Sequence, residues 1–386
     1  MKIAAITAEL NPLHNGHLKL FNAVKESLSP DISVVILGGD FTQRGELAVL
    51  DKYTRAKHAV MAGADVVLEL PQIFACACAE RFADAAVKLL SSFEADEKHI
   101  CFGSESGDLA SITNAAKILT DEPESMTDEL RALLDMGCSF PAARAQAFAR
   151  YAAANNIPVA DLTLPNNILA TEYVRAALKR SVLPFTVRRT GNYKAKSVES
   201  QAPSASSLRK AFFAGETIDP AALPPYVLAD LSEAKKVDLL SPLLLYRLSC
   251  ISAEGLKRIA DVSEGIENRI LRLAAESANA AELIKNVSGK RYTEARVGRI
   301  LVNALLGVTK PIFEAEISAA PYYKVLAVKK EHTDILSLFS RTGKVITGET
   351  EAKECGLKSA EIDARAHEIY AIAKEMPDLD TGMLLI

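Results

Sequence analysis

The chain has 386 residues, of which 49% are apolar and 24% are charged. This length exceeds what one compact core usually contains, so we expect two or three domains. Lysine and arginine number 45 against 49 aspartates and glutamates, and the resulting net charge of −4 excludes a general basic field for nucleic acid. Any RNA partner must therefore be bound by a local basic patch.

The sequence predicts neither a membrane span nor a secretory leader. No apolar stretch reaches about 18 uncharged residues, and the N-terminus lacks a basic region followed by an apolar run and a cleavage site. Six cysteines are too few for a disulfide framework, and the one-residue gap between Cys76 and Cys78 does not match common zinc-ligand pairs. We expect a cytoplasmic protein with free thiols and no metal site built from side chains.

Short apolar runs alternate with helical spacing from the N-terminus, which is typical of βαβ units around a parallel sheet. Alanine-rich residues 104–160 indicate a helical insertion. The pattern predicts a doubly wound, Rossmann-like α/β domain. Predicted strands cover 2–6, 33–37, 65–70, 98–102 and 185–189, and predicted helices cover 16–27, 51–61, 167–179 and 204–214.

Gly215 ends the last of these helices, and a proline-containing segment follows it up to Pro225. We place the domain boundary there, with one domain at 1–215 and a mainly helical C-terminal domain at 216–386. Predicted C-terminal helices cover 239–251, 266–278, 293–306 and 359–375, with short strands among the last seventy residues.

The most informative stretch is Thr7–Leu20, between the first strand and the first helix, which contains His14-Asn15-Gly16-His17. A helix N-terminus has unpaired N–H groups that attract phosphate, and a glycine there allows close approach. Imidazoles three residues apart can both donate to phosphate oxygens, where charge develops during nucleotidyl transfer. The alternative is a surface loop with two solvated histidines.

Two further clusters are candidate binding elements. Ser204-Ala205-Ser206-Ser207-Leu208-Arg209 offers hydroxyls, N–H groups and a cation at another helix start, although the serines could serve only as caps. Residues 285–299 concentrate basic side chains on and before a helix, with Tyr292 available to stack on an unpaired base. The alternative is a solvated basic face. The basic residues are Lys285, Lys290, Arg291, Arg296 and Arg299.

The His14–His17 string resembles the HIGH motif of the nucleotidylyltransferase superfamily, whose members attack the α-phosphate of ATP and release pyrophosphate. Further strings are similar to the tRNA(Met) cytidine acetate ligase family within that superfamily, and they extend over the first domain and into residues 265–299. They include Gln43-Arg44-Gly45-Glu46, Gly63-Ala64-Asp65, Glu69-Leu70-Pro71, Phe102-Gly103-Ser104-Glu105 and Leu164-Pro165-Asn166-Asn167-Ile168-Leu169.

The resemblance implies an ATP-dependent ligase that activates acetate as acetyl-adenylate and acetylates N4 of the wobble cytidine of elongator tRNA(Met), with Mg²⁺ entering on ATP. Catalysis would rest on His14, His17, Ser206 and Arg209. ATP would contact Thr7, Ala8, Glu9, Leu10, Asn11, Pro12, Leu13, His14, Asn15, Gly16, His17, Leu18, Lys19, Leu20, Gly103, Asn166, Arg189 and Thr190. The tRNA would contact Lys290, Arg291, Tyr292, Arg296 and Arg299.

One string departs from the family pattern. Family members often carry Gly-x-Tyr-His-Asp after the last strand, whereas this chain has Gly191-Asn192-Tyr193-Lys194-Ala195, so roles of that histidine and acid do not transfer. Two other hypotheses remain open at this point. One is a cofactor-synthesis adenylyltransferase acting on a small phosphorylated substrate, and the other is a non-enzymatic RNA-binding protein with a nucleotide sensor site.

Overall fold

The structure, a computed structural model, describes residues 1–138, 140–189, 203–289, 291–377 and 382–386, and for Pro141 only the backbone. Its strands are β1 (Lys2–Ala8), β2 (Ile32–Gly38), β3 (Val66–Leu70), β4 (Glu97–Ser104), β5 (Leu183–Arg188), β6 (Tyr323–Val328), β7 (Val345–Ile346) and β8 (Leu384–Leu385). Short 3₁₀ turns lie at Pro220–Ala222 and Lys330–His332.

The helices in the first part of the chain are α1 (Asn15–Leu28), α2 (Lys52–Met61), α3 (Gln72–Ala75), α4 (Ala79–Ser91), α5 (Leu109–Asp121), α6 (Glu124–Asp135), α7 (Phe140–Ala154), α8 (Pro165–Leu178) and α9 (Ala205–Ala214). The later helices are α10 (Pro225–Glu233), α11 (Leu240–Ser249), α12 (Ala253–Lys257), α13 (Ile266–Ala274), α14 (Ala280–Val287), α15 (Glu294–Leu306), α16 (Lys310–Ser318), α17 (Ile335–Thr342), α18 (Glu349–Glu354) and α19 (Lys358–Ala373).

A central sheet organises the molecule, with strand order β5-β4-β1-β2-β3-β6-β7 and β8 paired to β6. Strands β1 to β5 are parallel to their neighbours. This confirms the predicted α/β fold. Every strand and helix predicted above is present with ends shifted by no more than two residues, except that α13 ends four residues earlier than predicted.

The sheet draws strands from both sides of residue 215. Strand β6 pairs antiparallel with β3, through pairs such as Val66 with Val328. The division at residue 215 stays a prediction about domains, but the sheet itself crosses it. Short strands are predicted among the last seventy residues, and β6, β7 and β8 lie there, but local spacing does not predict that β6 pairs with β3.

Three apolar layers hold the sheet and the helices together. Along β2, Val34 and Ile36 pack on one face of the sheet with α4, α5 and α8, while Val35 and Leu37 pack on the other with α1, α2 and α9. A separate core joins α11, α13, α14, α15 and α19. The predicted helical insertion has a small core of its own among α5, α6 and α7.

A buried ionic cluster, defined as Lys52, Glu69, Lys324 and Glu349, joins the two ends of the chain. The Lys52 Nζ lies 2.9 Å from Glu69 and 2.7 Å from Glu349, and the Lys324 Nζ lies 3.2 Å and 2.7 Å from the same two carboxylates. All four side chains are buried. Burial opposes the charge of Glu349, but the two lysines outweigh it and hold its pKa at about 2.

Asp363 places a further carboxyl group beside the buried ionic cluster. It accepts hydrogen bonds from the Gln72 backbone N–H at 2.6 Å and from the Tyr322 hydroxyl. Burial and the neighbouring Glu69 carboxylate raise the pKa of Asp363 from its usual 3.8 to about 7. Between these two values the folded protein binds this proton and the unfolded chain does not. The free energy of unfolding should therefore fall as the pH rises through this interval.

We expect Asp363→Asn to flatten this pH dependence, because the amide has no proton to lose. Urea denaturation at about pH 5 and about pH 8 measures the difference in unfolding free energy. Asp135→Asn, at an exposed position of α6, is the matched control and should keep the wild-type difference. An unchanged difference in Asp363→Asn would contradict the assignment.

Candidate active site

The turn between β1 and α1 carries the His14-Asn15-Gly16-His17 motif. His14 caps α1, and its Nδ1 accepts a hydrogen bond from the Gly16 N–H at 2.9 Å. The Nδ1 of His17 accepts one from the His14 N–H at 3.2 Å, which completes a reciprocal capping box. A Cβ at Gly16 would lie 2.6 Å from the His14 ring. The glycine is needed here to admit that ring.

These hydrogen bonds fix the proton positions of both rings. A neutral imidazole has one acceptor and one donor nitrogen, so accepting at Nδ1 leaves Nε2–H as the donor. Burial, with a smaller effect of Arg189, lowers the pKa of His14 to about 4. Burial, His14 and Arg189 also lower the pKa of His17. Both rings are therefore neutral near pH 7, and the His14 Nε2 has no partner among the described residues.

A cavity of about 280 Å³, called here the nucleotide cavity, opens at the carboxyl ends of β1 and β4. In doubly wound sheets this is where the chain direction switches and nucleotides bind. Its apolar wall is formed by Phe82, Phe102, Leu169, Ala170 and Tyr173. Polar lining comes from Thr7, Glu9, Asn11, His17, Gln43, Arg44, Asn166, Arg189 and Arg209.

The predicted ATP loop surrounds the cavity but only part of it lines the space. Its lining residues are Thr7, Ala8, Glu9, Leu10, Asn11, His17 and Leu20. Pro12, Leu13 and His14 are buried behind them. The side chain of Asn15 donates to the Ala221 carbonyl at 2.5 Å, outside the lining. Of the two motif histidines, His17 is thus the lining residue and His14 supports it.

The other predicted ATP contacts also reach the cavity, with changed roles. A Cβ at Gly103 would lie 3.0 Å from the Arg189 Cγ, so the glycine makes room for that arginine and not directly for adenine. The Asn166 Nδ2 donates to Glu105 at 2.7 Å, which fixes the amide at the cavity edge. Thr190 and Gly191–Ala195 lie outside the described residues.

At the start of α9, the structure divides the predicted serine and arginine roles. Ser204 is the cap and accepts from the Ser207 N–H at 3.2 Å. Arg209 lines the cavity and donates to the Asn11 carbonyl at 2.9 Å. Ser206 is not among the lining residues. The prediction that Ser206 faces the reacting phosphate is not supported by its position.

Arg55, to which the sequence interpretation gives no role, shapes the cavity from behind. Its side chain is 1% exposed and donates to the carbonyls of Glu9 at 2.7 Å, Gly38 at 2.9 Å, Gly39 at 2.6 Å and Leu50 at 2.9 Å. A planar guanidinium is the side chain that supplies this many donors. No local spacing distinguishes it from a surface arginine.

The loop 42–47 connects the cavity to the C-terminal helices. Gln43 lines the cavity and its N–H donates to the Glu9 carboxylate at 2.8 Å. Gly45, at φ +76°, packs against α15, where a Cβ would lie 2.3 Å from the Gly298 carbonyl carbon. A Cβ at Gly298 would in turn lie 2.4 Å from the Arg44 carbonyl oxygen. Two glycines thus allow direct backbone contact.

We expect Gly298→Ala to displace loop 42–47. The added methyl group would clash with the Arg44 carbonyl oxygen, and a backbone atom cannot move away by a side-chain rotation. With Gln43 and Arg44 moved, the KM for ATP should rise about tenfold or more, on the scale of one or two lost hydrogen bonds. Gly289→Ala is the matched control, since a Cβ there meets no atom within 4 Å. Equal KM values for the two variants would contradict the prediction.

Comparison with known proteins identifies the family. A family model described as HIGH Nucleotidyl Transferase matches residues 1–381. The tRNA(Met) cytidine acetate ligase of Thermoanaerobacter sp. (strain X514) is 37% identical, over 97% of this chain and 96% of the relative. This chain belongs to the tRNA(Met) cytidine acetate ligase family. The protein of that name from Clostridium perfringens (strain ATCC 13124) is 33% identical, over 100% of this chain and 98% of the relative.

Solved structures of the family share the whole fold. The crystal structure of Thermotoga maritima TmcAL in its apo form has a TM-score of 0.89 at 27% identity. The structure of the same protein bound with alpha-thio ATP has a TM-score of 0.86, also at 27% identity. Both comparisons cover 100% of each chain. The family resemblance stated from the sequence is confirmed.

Two of the three predicted RNA-contacting arginines, Arg296 and Arg299, are already engaged by one acid. Arg299 lies 3.1 Å from the Asp261 carboxylate, and Arg296 lies 3.6 Å from the same group. Arg296 also donates to the Ser263 hydroxyl at 2.6 Å. The Arg299 Nη1 reaches the Gln43 carbonyl at 3.5 Å, so these arginines connect α15 to the nucleotide cavity. Contact with RNA by these side chains stays a prediction.

The position of Tyr292 corrects one expectation. The ring is 7% exposed within the C-terminal core, and Arg296 lies over it at 5.4 Å. A base cannot stack on a ring that is covered in this way, so the predicted stacking role is wrong for this conformation. Arg291 is exposed, and Lys290 lies outside the described residues.

No group of three or more His, Cys, Asp or Glu side chains stands together as a metal-ligand set in the described ranges. Within the same ranges, no helix has the length and apolarity that spanning a membrane requires.

Proposed function

We propose that this chain activates acetate with ATP and transfers the acetyl group to N4 of the wobble cytidine of elongator tRNA(Met). The observation that carries the proposal is the pair of neutral imidazoles at the start of α1, of which His17 lines the nucleotide cavity and His14 supports it from behind. The alpha-thio ATP complex of the T. maritima relative supports ATP as the ligand. A tRNA substrate places the proposed reaction in the cytoplasm.

In the first step, an acetate oxygen attacks the α-phosphorus of ATP, and the bond to the pyrophosphate oxygen breaks. His17 and Arg209 line the cavity and stabilise the charge that develops on phosphate oxygens, together with the N–H groups at the start of α1. Mg²⁺ would accompany ATP and would neutralise charge on the phosphates, which supply the oxygen ligands that this ion commonly takes. The products are acetyl-adenylate and pyrophosphate.

In the second step, the N4 amino group of cytidine attacks the acetyl carbonyl, the bond to the AMP phosphate oxygen breaks, and N4 loses a proton. AMP leaves as a good leaving group because its phosphate is held by the same donors. The reaction needs the cytidine base to enter the nucleotide cavity. Loop 42–47, which separates this cavity from α15, borders the entrance on the C-terminal side.

The apolar wall of the nucleotide cavity suits the acetate methyl group. Tyr173 is 2% exposed and its ring stacks on Phe102 with centroids 5.2 Å apart. The hydroxyls of Tyr173 and Thr7 are buried there and interact with each other, and neither has a further hydrogen-bond partner among the described residues. A pair of buried hydroxyls beside aromatic rings fits a carboxylate with a small apolar tail. We place acetate at this wall.

Tyr173→Phe should therefore raise the KM for acetate about tenfold, the cost of one hydrogen bond to a charged group, and leave the KM for ATP close to wild type. Both constants are measured by acetate-dependent ATP–pyrophosphate exchange. Tyr151→Phe, on a helix of the insertion, is the matched control. A rise in the KM for ATP alone would place acetate elsewhere.

The proposed function is tested by two assays on the purified chain. Acetate should stimulate ATP–pyrophosphate exchange in the absence of RNA, and tRNA(Met) incubated with ATP and acetate should gain N4-acetylcytidine by nucleoside mass spectrometry. Exchange that responds to a small phosphorylated compound and not to acetate would instead identify a cofactor-synthesis adenylyltransferase. Absence of exchange with either compound would contradict an enzymatic role.

A further inference from the structure

A second cavity of about 200 Å³ lies beside the nucleotide cavity, between α4 and α15. Cys78 lines the second cavity, whereas the next residue, Ala79, lines the nucleotide cavity. Asp261 also lines it and binds Arg299, which reaches the Gln43 carbonyl at the nucleotide cavity. The two cavities are therefore neighbours, lined by consecutive residues at the start of α4.

Asn303 gives the second cavity an unsatisfied polar group. The residue lies on α15 and is 2% exposed. Its side-chain Oδ1 is buried and makes no hydrogen bond among the described residues. Burying an acceptor without a partner costs free energy that an apolar residue would avoid. The Oδ1 is satisfied if a ligand supplies the missing donor.

The size and walls of the second cavity suit one planar ring system. Its volume lies below the range of about 300–1,000 Å³ that is usual for sites of whole small-molecule ligands. Phe313 contributes an aromatic wall and packs edge-on against Phe74 with centroids 5.8 Å apart. An aromatic wall with an amide at hydrogen-bonding distance is a common way to bind an unpaired base.

Four basic residues lie at or next to the second cavity and are called here the basic rim: Arg81 and Lys310 line the cavity, and the exposed residues Lys257 and Arg258 contact Lys310 through their carbonyls. The Lys310 N–H donates to the Arg258 carbonyl at 2.9 Å, and its Nζ donates to the Lys257 carbonyl at 2.7 Å. None of the four makes an ion pair with a described residue, and Arg81 and Lys310 line the cavity itself. Glu314 is an exposed acid in the lining.

The charge balance at this cavity favours an anionic partner. The carboxylate of Asp261 is engaged by Arg296 and Arg299, so it does not offset the basic rim. Arg81 and Lys310 then line the cavity with Glu314 as the one lining acid not paired with an arginine, and Lys257 and Arg258 add two exposed cations beside Lys310, although the whole chain carries a net charge of −4. Clustered uncompensated cations are the usual means of binding a phosphate backbone.

We propose that the second cavity binds the base of a nucleotide adjacent to the reacting cytidine in the RNA substrate, while the basic rim binds the backbone phosphates. This inference rests on the proposed function, since it takes the RNA to enter the nucleotide cavity. Consecutive unpaired nucleotides fit two neighbouring cavities. Asn303 then forms a hydrogen bond with an edge of the neighbouring base, and the site contributes to the specificity for the RNA substrate.

The test uses the full-length chain and tRNA(Met) transcripts that are abasic on either side of the reacting cytidine. For wild type, we expect loss of one of these two bases to lower kcat/KM of acetyl transfer about tenfold. Asn303→Leu should lower transfer to the intact transcript by a similar factor and show no further loss with that abasic transcript. Arg81→Gln is a second variant in case Asn303→Leu folds poorly.

Two control measurements separate RNA binding from structure. Acetate-dependent exchange without RNA should be unchanged in Asn303→Leu, and its thermal midpoint should not fall because an unpaired acceptor is removed. Lys257→Ala should weaken binding of the transcript and reduce its salt dependence, whereas Lys117→Ala, an exposed lysine of α5, should do neither.

The possible outcomes are distinct. If wild type acetylates the intact transcript but tolerates both abasic positions, or if the abasic loss persists unchanged in Asn303→Leu and Arg81→Gln, the second cavity is not a base site. If wild type forms no N4-acetylcytidine at all, the proposed function fails and the inference fails with it. Loss of the abasic effect in the variants, with exchange intact, supports the proposal.

Discussion

Replacement of His17 by alanine is expected to lower acetate-dependent ATP–pyrophosphate exchange by about 10²–10³-fold, the usual effect of removing one donor to a developing oxyanion. His17→Gln is the comparison, because glutamine at this position of a helix can still accept from the His14 N–H and retain the capping box. Glutamine also keeps an amide N–H donor, so His17→Gln should lose less exchange than His17→Ala. Exchange kinetics and thermal unfolding measured together separate the two roles.

His14→Asn extends the same test to the buried member of the pair. Asparagine is a strong N-cap residue, so α1 should keep its stability, whereas the unpartnered Nε2–H of His14 is removed. We expect exchange to fall here too. His332→Gln, at a partly exposed site outside the nucleotide cavity, is the control. Exchange within about threefold of wild type in both His17→Ala and His14→Asn would contradict a role in transition-state stabilisation.

The second large effect is expected from Lys52→Met in the buried ionic cluster. Removing this ammonium leaves the carboxylates of Glu69 and Glu349 with Lys324 as their remaining partner in the cluster. Breaking a buried ion pair by removing one member typically costs about 3–5 kcal/mol, because the remaining charge is left uncompensated. Urea denaturation at neutral pH should show an unfolding free energy that is lower by this amount, and therefore a lower midpoint urea concentration.

Lys57→Met provides the comparison on the same helix. Its Nζ pairs with Asp230 at 2.5 Å, but the Lys57 side chain is 40% exposed and solvent screens the pair. Its loss should cost no more than about 1 kcal/mol. Equal destabilisation by the two substitutions would show that the buried ionic cluster does not hold the two ends of the chain together.

The sequence by itself determined the local elements and the catalytic motif. Short apolar runs and helical spacing located the strands β1 to β5 and the main helices, because burial of a central parallel strand or of one helix face leaves a pattern within a short segment. The position of His14-Asn15-Gly16-His17 between a strand and a helix indicated a phosphate-binding turn. Several strings together then indicated the family.

Only the tertiary structure decided which residues meet across long distances in the chain. The sequence pattern predicts Arg296 and Arg299 as free basic residues, whereas in the folded chain both lie beside Asp261. It also predicts an accessible Tyr292, whereas the helices pack around this ring. The basic rim joins Arg81 with residues 257–310, which no spacing in the sequence connects. A local pattern records whether a side chain is buried, but its partner is chosen by how the elements pack.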